Sequence, residues 1–197
     1  MRKRTLAIGA ILLGVGGTCA ATGVALVPVG LTLGPCLRDW TSPSSYGRRV
    51  SPLATVDIPV GDGQLRVCYG RPAARGREVF GGLVPWDEPW RLGANEPTRL
   101  YLNRPATIAG VRLEPGRYAI TATPRRKHWE IAIRGSVSQW GNDFSPPVLG
   151  TGAALVEALA EPVETLTVRP LPADDGTMRL AVEWERTRAL LEVRPEP

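Results

Sequence analysis

Between Gly76 and Thr98 the chain reads GREVFGGLVPWDEPWRLGANEPT, with four Gly and three Pro set among side chains that a connecting loop rarely needs for folding. Long irregular connections in compact domains are usually functional or disordered, and two Trp in one loop argue against disorder. Arg77 and Arg91 each present a planar fork of donors, Asn95 a donor and an acceptor, Glu96 an acceptor, and Trp90 a flat apolar face with one N–H. Such groups hold a sugar or a small anionic ligand. They equally suit a structural loop in which Arg77 pairs with Glu96 and Trp90 plugs the end of the domain. Trp140, followed by Gly141 and Asn142, sits at a strand end, where it either caps the core or faces the same cavity as Trp90.

Glu78, Asp87, Glu88 and Glu96 are the local carboxylates for acid–base chemistry, so the alternative to binding is a small carboxylate/arginine-dependent hydrolase or lyase. An enzyme needs an open pocket around such a group, whereas a structural loop buries and pairs its charges. The single histidine, His128, follows Arg125, Arg126 and Lys127 and reads as a turn residue, which argues against a Ser-His-Asp triad or a multi-histidine metal site. Gly81-Gly82 lacks the spacing of a phosphate cradle, and the carboxylates lack that of a calcium loop. No metal and no cofactor is expected.

The N-terminus supplies an address. No charged residue occurs from Thr5 to Leu37, directly after Arg2, Lys3 and Arg4. Leu6 to Val27 gives roughly 22 residues, about 33 Å of helix, enough for a hydrocarbon core of about 30 Å. Residues 1–37 therefore read as a membrane anchor with the C-terminal domain outside the cytoplasm, or as a signal segment whose cleavage leaves a secreted or periplasmic domain. Cys19 lies inside the apolar run, leaving Cys36 and Cys68 as the pair an oxidising compartment would join; unjoined, they are two small apolar side chains. Past the basic cluster the chain carries 21 basic against 19 acidic residues, so the outer part is nearly neutral. The Arg125–Lys127 cluster, without interleaved aromatics, is a solvated turn, and nucleic acid is not an expected partner.

Residues 38–54 are rich in Ser, Pro and Arg and read as a linker, with one domain over 55–194. Period-two patterning dominates: Leu65, Val67 and Tyr69 share a face, as do Leu100 and Leu102, and Met178, Leu180, Val182 and Trp184. Trp184 is expected in the core, and Ala189, Leu191 and Val193 form a last strand. Val111–Leu113, the turn Glu114-Pro115-Gly116 and Arg117–Thr123 read as a hairpin, followed by a strand at Trp129–Ile133. The fold class is all-β, a predominantly antiparallel β-sandwich or flattened barrel preceded by one N-terminal transmembrane helix. Gly152–Ala160 is the exception, rich in helix formers but too short to hold a helix unaided.

These residues resemble a bacterial family of unknown function, domain of unknown function 2911. The likeness rests on YGRPAARGREVFGGLVPWDEPWRLGANEPT at 69–98, IAGVRLEPGRYAITATP at 108–124, HWEIAI at 128–133, QWGNDF at 139–144, EPVETLTV at 161–168 and LAVEWERT at 180–187. It implies an envelope or secreted bacterial protein with a β-rich domain, and a strand at Gly152–Glu157. It implies no activity. The chain departs from the family pattern at Pro146-Pro147 and in its anchor-like N-terminal run. The functional expectation is an uncharacterised membrane-tethered envelope protein whose outer domain binds a small polar ligand or has a structural role through the 76–98 loop.

Overall fold

The computed structural model describes residues 49–137, 140–175 and 177–197. The Leu6–Val27 run and Cys36 lie outside them. Among the described residues there is no helix, and hence none long enough to cross a membrane. The strands are β1 (Leu53–Val60), β2 (Gly63–Gly70), β3 (Thr98–Leu102), β4 (Ala106–Ile108), β5 (Val111–Leu113), β6 (Gly116–Pro124), β7 (His128–Arg134), β8 (Val148–Pro172) and β9 (Met178–Pro195). β1 begins at Leu53, so the last two residues read as linker belong to the domain.

All pairings between these strands are antiparallel, in the order β1-β2-β3-β6-β7-β8-β9-β4-β5. The domain is thus all-β and antiparallel, built as one continuous open sheet rather than two packed sheets. The sheet curls until β1 comes against β8 and β9. Its inner face carries the alternating residues that the sequence places there: Leu65, Val67 and Tyr69 from β2, Leu100 and Leu102 from β3, and Trp129, Ile131 and Ile133 from β7, all buried in one core. The curl is stitched past the end of β2. There the Tyr69 hydroxyl accepts the Val168 N–H at 3.0 Å, and the Leu166 N–H donates to the Pro72 carbonyl at 2.9 Å.

The 111–123 hairpin does not form. β5 pairs with β4, and β6 pairs with β3 and β7. The Pro-Gly turn is real, but a three-residue strand offers too few ladder bonds to fix its partner locally, and β4 is in turn held by β9. Gly152–Ala160 lies wholly within β8, since pairing with β7 and β9 overrides helix propensity. A Cβ at Gly152 would stand 1.6 Å from the Ala109 carbonyl oxygen, so only glycine lets the β4–β5 turn cross this strand.

β9 merges two segments that read separately. Its core-facing positions are even-numbered through Trp184 and odd-numbered from Ala189 onward. Because side chains alternate with period two, this switch requires one extra residue, and Glu185 supplies it with a φ of 52°. The register of β8 against β9 shifts on either side of Val163, opposite Glu185.

Candidate functional site

The 76–98 loop closes one end of the sheet and is fixed by its own backbone. Gly81 N–H donates to Val84 O at 2.8 Å, and Val84 N–H to Val79 O at 2.8 Å. Trp90 exchanges both backbone hydrogen bonds with Ala122 of β6, at 2.7 and 2.9 Å. Left-handed φ values at Gly76, Gly81, Asp87, Leu92 and Asn95 turn the chain often enough to bury Val79, Phe80, Val84, Trp90 and Leu92.

Trp90 is 5% exposed; it stacks on Trp184 at 6.0 Å and meets Trp129 edge-on at 5.9 Å. Its indole N–H is spent on the Gly93 carbonyl at 3.2 Å. It is a core residue contributed by a loop. Glu96 is 5% exposed and takes both terminal nitrogens of Arg49, the first described residue, in a bidentate pair. Asn95 donates to the Ser51 carbonyl at 3.3 Å, and the Arg71 N–H reaches the Pro52 carbonyl at 2.8 Å. Asn95 and Glu96 therefore hold the incoming chain. Glu96 pairs with Arg49 rather than with Arg77.

Arg91 donates to Asn142 Oδ1 at 2.7 Å, while its Nε is buried without a partner and burial pushes the guanidinium below its ordinary pKa. The Gly141 N–H donates to Asn95 O at 3.0 Å. Arg91 and Asn95 are thus joined to the 140–142 segment, on which Trp140 stands 55% exposed. His128 is exposed at the β6–β7 turn. Cys68 is buried and disulfide-bonded, with the other half outside the described residues. Among the described residues no three His, Cys, Asp or Glu side chains gather as metal ligands.

Of the six residues singled out as ligand-binding, Arg77 borders a cleft. A cavity of about 430 Å³ opens where the chain past β2 meets the β8–β9 bulges, lined by Ala74, Gly76, Arg77, Glu78, Pro162–Glu164 and Glu185. Arg77 Nε and Nη2 donate to the carbonyls of Ala74 and Ala73 at 2.9 and 3.0 Å, which fixes its direction. Glu164 Oε1 accepts the N–H of Arg75, a residue with a φ of 53°, at 2.8 Å. Among the described residues none of Arg77, Glu78, Glu164 and Glu185 takes part in an ion pair, in contrast to Glu96 and to Glu183, which is clamped by Arg169 and Arg188 at 2.7 and 2.6 Å. Glu164 and Glu185 come from strands remote from the loop. The switch of apolar parity after Trp184 was the one signal of them in the sequence.

Fold and cleft together define a small all-β domain with one end plugged and a charged cleft beside the plug. The chain belongs to the protein family of unknown function DUF2911, whose model matches residues 51–193. No curated protein and no solved structure matches it.

Proposed function

We propose that this is a membrane-tethered envelope protein whose outer domain binds a small polar ligand in the Arg77–Glu185 cleft, while most of the 76–98 loop keeps the domain closed. The observation that carries this reading is the division of the charges. Glu96 is committed to Arg49, whereas Arg77, Glu78, Glu164 and Glu185 border a cavity of ligand size without ion partners among the described residues. Among the described residues, two of the six left-handed non-glycine positions lie here, Glu185 on the lining and Arg75 between the lining residues Ala74 and Gly76, and strained non-glycine residues persist where the surroundings or a function enforce them. Binding is preferred to hydrolysis because the sole histidine, His128, is not among the residues lining the cleft, so acid–base chemistry there would rest on carboxylates. The tether is supported by the uncharged run after Arg2-Lys3-Arg4.

The test is thermal-shift screening of the full-length protein in detergent against amines, amino acids, carboxylates and sugars. Hits should vanish in Arg77→Ala and Glu185→Gln and persist in Trp140→Ala. A second reading, sugar stacking on the exposed Trp140 beside Arg91 and Asn142, predicts the reverse.

A further inference from the structure

We infer that the end of the sheet carrying the Arg125–His128 turn lies against the anionic phospholipid headgroups of the membrane in which the chain is anchored. The inference rests on the tether reading above.

Topology supplies the first part of the argument. The start of β1 pairs with the end of β2 (Leu53↔Gly70), Cys68 pairs with Arg99 near the start of β3, and Thr98 pairs with Ile120, after which β6 runs on to Pro124. The chain entry at Arg49–Pro52 and the β6–β7 turn therefore share one end of the sheet. That entry is pinned there by Glu96, Asn95 and Arg71.

Chain length supplies the second. Cys68 is disulfide-bonded, and the only other cysteines are Cys19, inside the apolar run, and Cys36, nine residues past Val27. Nine residues reach about 30 Å at most, so a Cys36 bridge holds this half of the sheet within about 30 Å of the outer end of the apolar run. A domain so close presents one end to the lipid surface.

The turn has the chemistry for that surface. Arg125 is committed to Asp87 at 2.8 Å and Glu130 at 3.4 Å, which braces the turn and leaves Arg126 and Lys127 exposed beyond it. The Arg126 guanidinium lies 5.1 Å over the Trp86 ring, so its orientation is set before binding. Leu155, two-thirds exposed, stands across the β7–β8 ladder from His128 and adds an apolar contact. Glu88 and Glu78 are the other exposed carboxylates of the loop and offset part of this charge. Two cations bind a membrane weakly on their own, but the tether makes the contact intramolecular, so a weak attraction acting within a Debye length is enough.

Lys127 and Lys3 are the only lysines, so amine acetylation read by mass spectrometry reports the turn directly. The full-length chain is reconstituted into vesicles of phosphatidylcholine alone and of phosphatidylcholine with phosphatidylglycerol. Lys127 acetylation is expected to be at least about three-fold slower in the anionic vesicles, the difference disappearing in high salt and in Arg126→Glu. Equal rates in the two vesicles, in protein that survives a carbonate wash, would overturn the membrane contact while leaving the tether standing. Release of the protein by the wash would overturn both.

Discussion

Arg49 and Glu96, 47 residues apart, form a buried bidentate ion pair that fastens the incoming chain to the loop closing the sheet. Removing one partner of such a pair leaves a buried charge uncompensated, at a cost of roughly 3–5 kcal/mol. Arg49 sits at the edge of the domain and can swing into water, so Glu96→Gln is expected to cost about 2–3 kcal/mol. Denaturant unfolding of Arg49→Ala, Glu96→Gln and the double variant measures the coupling, and the double variant should be scarcely less stable than either single one.

A substitution at Gly152 tests the crossing of β8 by the β4–β5 turn. Gly152→Ala drives a methyl group into the backbone carbonyl of Ala109 and should cost about 2–4 kcal/mol through displacement of the turn. Gly76→Ala, at a φ of 70° with nothing within 4 Å, meets only conformational strain and should cost about 1 kcal/mol. Equal losses in the two variants would mean that the turn yields easily.

Glu183 gives a pH dependence of defined sign. Burial pushes its carboxyl up, but hydrogen bonds and charge from Arg169 and Arg188 outweigh this and hold it below the ordinary carboxylate value. A depressed folded-state pKa contributes stability above the unfolded value, near 4.3, and that contribution is lost as pH falls through the folded value. Glu183→Gln should therefore melt lower than the unaltered protein at pH 7, and the gap should close as pH falls from about 5 to below 4. A gap that is unchanged across this range would point to packing rather than charge.

Trp90 is predicted to behave as a core residue. Trp90→Ala opens a cavity against Trp129 and Trp184 and should cost about 3–5 kcal/mol, whereas a solvent-facing binding residue would lose little stability. Urea unfolding distinguishes the two.

How much of this was legible in the sequence depended on whether the information was local. Period-two alternation located most of the strands and the inward placement of Leu65, Val67, Leu100 and Trp184, because burial on one face of a pleated sheet imposes that pattern directly. The partner of β5 was not legible: Pro115-Gly116 signals a turn whether or not its flanks pair. Nor was the role of Glu96, since Glu, Arg and Trp are equally the currency of a site and of a plug, and Arg49 lay in a stretch read as linker. Arg77 was singled out because it lies in the loop, and its place at the cleft was not legible. Glu164 and Glu185 were missed as its neighbours because a bulge in a distant strand pair brings them to it.

The central claim is that charge in the loop serves the fold while charge in the cleft is available for function. Thermal unfolding of Glu96→Gln and Glu185→Gly side by side tests it most directly. At 2–4 °C per kcal/mol for a domain of this size, Glu96→Gln should melt about 5–10 °C lower. Glu185→Gly should melt at the same temperature or slightly higher, since glycine relieves a φ of 52°. An unchanged Glu96→Gln together with a strongly destabilised Glu185→Gly would contradict the account, placing the structural burden on the cleft and returning the loop to the role of binding site.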